Sequence, residues 1–286
     1  MRIIENLKEM TETARGWLAS GTVGFVPIKS TIHDGHRVLI QSAQRACEIT
    51  VVGLLGNAWP LDTNDERIQY KQNLTSNLQS LNRYNVDVVF TPRLKDMYPI
   101  RFATSVTPTG VVLEDMDTAG RERIQRFATI AIKLFHLVRP DVIYYGQKDA
   151  QQVAILRQLV RDLNIDARIS VLPTVRESDG LAISSRNSRL SVPERQAATL
   201  IYRALLSGKG LIEQGEHRSA TIEQMMTDLL RTNPLITSER VAVRNPDTFR
   251  EQQEAVPGVL LSIEAVVGSV QLMDNITWKT NGQWLL

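Results

Sequence analysis

The sequence predicts an α/β chain: a parallel sheet with helices on both faces, followed by a smaller α+β domain. Short apolar, β-branched runs alternate with longer amphipathic ones, the pattern of βαβ units. Polar residues suited to chemistry fall at or just beyond the ends of those runs, where open parallel sheets bind ligands. After about Asn187 the alternation stops, and two helical stretches are followed by short strands.

Taken in order, Val23–Pro27 reads as a buried strand and Asp34–Glu48 as a helix. Ile49–Leu55 is a strand, Asp65–Tyr84 is mostly helical, and Val86–Pro92 is a strand. Thr118–Val138 predicts a long helix, Pro140–Gly146 a strand, Lys148–Leu163 a helix and Ala167–Val175 a strand. Beyond them, "SVPERQAATLIYRALLSGKGLIEQG" predicts a helix whose N-cap is Ser191, with Glu194 as its capping-box partner. "SATIEQMMTDLLRTNP" predicts a second helix, and "RVAVRN", "GVLLSIEAVV" and "SVQLMDNI" three strands. The expected domains are 1–178 and 179–286, joined near Thr174–Asn187.

A length of 286 residues suits two domains rather than one. With 43% hydrophobic residues, 22% charged residues and a net charge of +2, the composition is that of a soluble globular protein. It carries no strong electrostatic case for nucleic acid or a membrane surface. The single cysteine, Cys47, excludes an internal disulfide framework and fits a reducing compartment. The first twenty residues are charged and amphipathic and lack a signal peptide's apolar region. No apolar run approaches the roughly 20 residues that cross a bilayer. The expected location is the cytoplasm.

Three stretches carry candidate chemistry. Of four histidines, two stand as His33-Asp34-Gly35-His36 at a strand–helix junction. There the free N–H groups of the first helical turn attract anions, and Gly35 lets a ligand approach the backbone. Two imidazoles in that place could donate to phosphate oxygens and stabilise charge on a pentavalent phosphorus. They could equally be one histidine near the N-cap and one in the core. Zinc is disfavoured, because His136 and His217 are isolated. The second stretch is "YYGQKDAQQ": Gly146 ends a strand, and Lys148 and Asp149 open a helix. A lysine there can neutralise a transferring phosphoryl group, and Asp149 suits a ribose or a cap. An ordinary capped helix start reads the same way. The third, "LAISSRNSRLS", offers two serines and an arginine fork as a phosphate clamp, or simply a polar loop between domains.

Together these blocks resemble the pantothenate synthetase (pantoate–β-alanine ligase) family of the HxGH nucleotidyltransferase-like superfamily. "KLFHLVRPDVIYYGQKDAQQVAILRQLVRDLN", "PTVRESDGLAISSRNSRLS", "VAVRNPDTF" and "VGSVQLMDNI" occur in the family's order. The resemblance implies a Rossmann-like first domain and an ATP-dependent, AMP-forming ligase that makes an acyl adenylate and then an amide. It implies magnesium with the ATP and a homodimer formed through the N-terminal domain. It places His33, His36, Lys148, Ser184, Ser185 and Arg186 in the catalytic set. It places Pro27, Gly35, Gly146, Asp149, Val175 and Ile183, with His36, Lys148 and Ser184–Arg186, around ATP. It places Gln152, and the positions of Lys29, Asn57 and Pro60, around the acid.

The departures from the family avoid the ATP motifs. Its "PTMG" reads Pro27-Ile28-Lys29-Ser30, so Lys29 replaces a methionine that lies against the acid. Its "FVNPxQF" reads Leu55–Leu61, so an acid-binding glutamine becomes Pro60. A metal-associated acidic pair aligns with Ser76 and Asn77, "HFRG" with Arg123–Arg126, and "GEKD" becomes "GQKD" through Gln147. Proline offers a hydroxy acid neither the donor nor the acceptor that glutamine does. The expectation is a preserved adenylating half with a rebuilt acid pocket, in which Lys29 suits an acid with an extra anionic or strongly accepting group. Lys29 could instead pair with Asp34 or extend to solvent. The competing readings are a true pantoate–β-alanine ligase, a nucleotidyltransferase that leaves the nucleotide on its product, and a catalytically weak nucleotide-binding homologue.

Overall fold

The computed structural model describes residues 1–17, 21–56, 64–110 and 117–286. The chain forms two compact units: Met1–Tyr145 with Ile155–Leu172, and Gly146–Ala154 with Pro173–Leu286. The split is therefore not one cut in the chain, because the short segment after Tyr145 belongs with the C-terminal residues.

The first unit is built on β1 (Arg2–Ile4), β2 (Val23–Ile28), β3 (Ile49–Leu54), β4 (Val88–Phe90), β5 (Val142–Gly146) and β6 (Arg168–Leu172). They form one sheet in the order β1-β4-β3-β2-β5-β6. The registers of β1 with β4, β4 with β3, β3 with β2, and β2 with β5 are all parallel. The helices of this part are α1 (Leu7–Trp17), α2 (Asp34–Ala46), α3 (Asn64–Arg83), α4 (Leu94–Met97), α5 (Thr118–Val138) and α6 (Ala150–Asp162). Strands β2 and β3 are apolar at nearly every position because both faces are covered. On one face Val26, Ile28, Val52 and Leu54 pack with Leu39, Ile40 and Ala43 of α2, and on the other Phe25 and Val51 are fully buried. Gly24 permits the close approach of α2: a Cβ there would lie 3.0 Å from the Cys47 sulfur. The sheet reverses its winding between β2 and β5, the switch point at which such sheets place ligands beyond the strand ends.

Helix α5 begins and ends at the predicted residues. Asp117 accepts the Gly120 N–H at 2.7 Å, and Arg139 closes the helix in the left-handed region just before Pro140. Other boundaries move for tertiary reasons. The predicted helix Lys148–Leu163 opens instead as a 3₁₀ turn over Gln147–Asp149, with α6 following. The predicted strand Ala167–Val175 stops at Leu172, because Pro173 has no N–H to continue a ladder. Strand β1 is new: only Ile4 of its three residues is buried, too little apolar pattern to register in sequence.

The second unit contains α7 (Val192–Glu213), α8 (Ser219–Arg231) and the strands β7 (Ile236–Arg244), β8 (Val259–Val267), β9 (Val270–Trp278) and β10 (Trp284–Leu285). The strands form a sheet in the order β10-β9-β8-β7, antiparallel throughout. Ile201, Leu205 and Ile212 of α7 and Ile222 and Met226 of α8 pack on Leu261, Ile263 and Leu272 of the sheet. The predicted capping box of α7 is present: the Ser191 N–H donates to the Glu194 carboxylate at 2.7 Å, which lowers the carboxyl pKa. Among the described residues no helix is long and apolar enough to cross a membrane.

Candidate active site

In the second unit, "VRESDGLAI" folds into a tight antiparallel turn rather than an open loop. The Ile183 N–H donates to the Val175 carbonyl at 3.0 Å, and the Glu177 N–H to the Leu181 carbonyl at 2.9 Å. Asp179-Gly180 makes the reversal, with Gly180 at φ 91°, a conformation open to glycine. Val175 and Ile183, both expected beside ATP, are thus a backbone pair. Ser184 follows and caps a 3₁₀ turn over Ser185–Arg189, its hydroxyl accepting the Arg186 N–H at 3.3 Å. Arg186 donates to the Gln271 carbonyl at 3.2 Å, which ties the turn to β9.

Lys148 is brought to the same place. Its ammonium donates to the carbonyls of Ala182 and Ile183 at 3.4 and 3.3 Å, immediately before Ser184. Two of the three motif blocks therefore meet within one unit. Burial lowers the Lys148 pKa; Arg186 and Arg176 add to that effect, and Asp274 and Asp149 oppose it. Gln152, on the first turn of α6, donates to Asp149 at 3.4 Å.

A network absent from the sequence reading braces this arrangement. The buried amide of Gln147 donates to Asn275 Oδ1 at 2.9 Å and to Thr277 Oγ1 at 2.5 Å. Asn275 in turn donates to the Lys148 carbonyl at 3.1 Å. These bonds to β9 account for the 3₁₀ start of the segment, since they hold side chains and a carbonyl of the first turn. Beside them Arg176 forms a bidentate pair with Asp274 at 2.6 and 3.1 Å and stacks on the Tyr202 ring at 3.8 Å. Arg176 and Asp274 both sit in quoted blocks, but nothing local marks them as partners.

In the first unit, His33 is the N-cap residue of α2, and its ring stacks on that of His36 with centroids 3.8 Å apart. The His33 N–H donates to His36 Nδ1 at 3.3 Å. Nδ1 of His36 is therefore an acceptor, and in the neutral ring the proton resides on Nε2. Burial, then the neighbouring His33 and Lys29, hold the His36 pKa well below 6.5. At neutral pH His36 is thus an uncharged imidazole with a fixed donor. Gly35 makes room for the neighbouring imidazole: a Cβ there would lie 3.0 Å from the His33 ring.

Lys29 stands over the Phe127 ring at 5.7 Å, while Asp34 pairs with Arg37 at 3.7 Å. Pro27 lies in β2 opposite Gly53 of β3. Asn57 and Pro60 lie outside the described residues.

Positions 76 and 77 do not fit a magnesium site. Ser76 donates to the Asn73 carbonyl at 3.4 Å, and the buried Asn77 amide bonds the backbone of Ser30 and Ile32. No group of three or more histidine, cysteine or acidic side chains suited to a metal occurs among the described residues.

The lowered His36 pKa predicts a pH effect on stability. Below about 6.5 the unfolded chain takes up a proton that folded His36 refuses, so stability falls as pH drops from there toward the folded value. His36→Gln is expected to flatten that limb. Urea midpoints at pH 7.5 and 5.5 should differ less in the variant than in the parent, and equal differences would contradict the assignment.

Comparisons with known proteins agree on one family. A family model described as pantoate-beta-alanine ligase matches residues 2–277. The pantothenate synthetase of Caldicellulosiruptor saccharolyticus is 36% identical over 280 residues, covering 96% of this chain and 99% of that protein. That of Heliobacterium modesticaldum is 37% identical over 279 residues, covering 96% and 99%. Among solved structures, pantothenate synthetase from Thermus thermophilus superposes with a TM-score of 0.87 at 32% identity, covering 98% of this chain and all of that one. The pantoate-beta-alanine ligase of Francisella tularensis, complexed with beta-gamma ATP and beta-alanine, gives 0.71 at 25% identity over 96% of this chain and 97% of that one.

Proposed function

The chain belongs to the pantoate–β-alanine ligase family of amide-forming ligases, and from that premise we propose that it is an ATP-dependent carboxylate–amine ligase with an acid pocket altered from pantoate's. In the first step an acid carboxylate attacks the α-phosphorus of ATP, forming a C–O–P link and expelling pyrophosphate. In the second an amine attacks the acyl carbon, breaks the bond to AMP and loses a proton, leaving an amide. His33, Lys148, Ser184, Ser185 and Arg186 serve the phosphates, and the Nε2–H of His36 donates to the charge that builds on phosphorus. Gly146 and Asp149 face the ribose, and Gln152 faces the acid. A cytoplasmic homodimer belongs to the same proposal. The nucleotide reading is supported by the meeting of Lys148 with the Ser184–Arg186 turn in a setting rich in cations. The Francisella relative, complexed with beta-gamma ATP, supports it too.

The single observation behind an altered acid is Lys29, whose positive charge is felt by His36. An ammonium in an acid pocket favours an acid with a second anionic or strongly accepting group. A second reading, pantoate joined to β-alanine, is favoured by relatives at 36 and 37% identity along almost the full length. Acid-dependent pyrophosphate release across a panel of acids tests both. The altered-pocket reading expects an acid of that kind to exceed pantoate. It also expects Lys29→Met to move the preference toward pantoate by about tenfold, the scale on which single pocket contacts discriminate. Pantoate as the best acid, with ordinary turnover and complementation of a pantothenate auxotroph, would establish the second reading. ATP binding with no acid-dependent release would leave a nucleotide-binding homologue.

A further inference from the structure

Between the end of β2 and the start of α2 the chain crosses Lys29–His33 with no strand or helix to satisfy its backbone. Helix α3 does so from one face. The Ile32 N–H donates to Asn77 Oδ1 at 2.9 Å, and Asn77 Nδ2 donates to the Ser30 carbonyl at 3.3 Å. One turn earlier, Asn73 Nδ2 donates to the Thr31 hydroxyl at 2.9 Å. Three consecutive loop residues are thus gripped by two asparagines four apart. Asn77 is 1% exposed, so water does not substitute for either of its bonds. The orientation of its amide follows from the backbone: the Ile32 N–H can only donate, which puts oxygen on that side and nitrogen toward the Ser30 carbonyl. Leu74 and Leu78 of α3 and Ile32 of the loop pack against the same core, which holds helix and loop in register.

We propose that Asn77 is a positioning residue for the reaction: its amide fixes the loop that delivers His33 and His36, and it requires a donor as well as an acceptor. An ionised carboxylate has only acceptors and would face the Ser30 carbonyl with like partial charge, whereas a protonated one restores the donor. The inference rests on the ligase reading for its activity readout. Its structural content stands apart from that reading.

The test is Asn77→Asp. Acid-dependent pyrophosphate release is measured from pH 5.5 to 8.5 at a temperature where circular dichroism shows both proteins folded. Lys29, His33, Asp34, His36 and Arg37 of the loop and α2 are common to both, so the ratio of variant to parent isolates position 77. The ratio of kcat is expected to fall at least about tenfold as pH rises across that range, with a smaller change in the KM for ATP. A global loss of stability would give no such profile per folded molecule. Asn73→Ala, which removes only the Thr31 anchor, serves if the aspartate variant does not fold; a several-fold fall in kcat is expected. Hydrogen exchange over Ser30–His36 is read beside these rates, with protection lost in Asn77→Asp at pH 8.5 and kept at pH 5.5. A flat activity ratio with unchanged protection overturns the proposal, as does an unaffected Asn73→Ala. A parent protein without acid-dependent release sinks the ligase reading instead, and the exchange result then decides the clamp by itself.

Discussion

Lys148→Ala is expected to lower acid-dependent pyrophosphate release by about 10²- to 10³-fold, the usual consequence of removing one preorganised group from developing charge. The effect should fall mainly on kcat, because the ammonium is held in place before substrate arrives. The carbonyls of Ala182 and Ile183 orient it, and Asn275 holds the backbone from which it projects. Burial has already removed much of its water, so its interaction with a phosphoryl group is less screened than that of a surface lysine. Lys148→Arg should not restore the rate: a planar guanidinium does not occupy the space of a compact ammonium or meet two carbonyls with the same geometry. Steady-state kinetics with a direct measurement of ATP affinity provide the check. A loss below tenfold would remove Lys148 from the catalytic set.

Asp274→Ala should destabilise the second unit by about 3–5 kcal/mol, the cost of leaving one member of a buried ion pair without its partner. The Arg176 side chain is 11% exposed and that of Asp274 is 3% exposed. Removing the carboxylate leaves a guanidinium facing the Tyr202 ring and one carbonyl, that of Gly180 at 3.1 Å. It also removes the strongest influence keeping Lys148 protonated, so the alkaline limb of activity should move to lower pH in any folded fraction. An Arg176→Met, Asp274→Leu double variant should recover most of the stability, because apolar replacement of both partners removes the unpaired charge. Urea unfolding followed by the fluorescence of Trp278 and Trp284, which lie in this unit, measures both changes. An Asp274→Ala midpoint close to the parent's would show that the pair contributes little.

Much of the scaffold was legible because its cues are local. The buried runs of β2, β3 and β5, the capped ends of α5 and the Ser191–Glu194 box all depend on residues a few positions apart. Strands β1 and β10 were not legible, being short and supported by partners distant in the chain, β4 and β9. The same divide runs through the site. His33, His36, Lys148 and Ser184–Arg186 stand out as residue types at strand ends. Asn77 reads in sequence as a carboxylate that is missing, and in the structure as an amide in use.

By itself the sequence determined most of the order of strands and helices and the family to which the chain belongs. These follow from apolar periodicity, capping chemistry and short motifs, all carried by neighbouring residues. Only the tertiary structure decided which distant groups act together: Arg176 with Asp274 across 98 positions, Asn275 beneath Lys148 across 127, and Asn77 beneath the histidine loop across 45 to 47. Buried polar groups must find partners wherever the fold supplies them, and no local pattern says which strand or helix that will be.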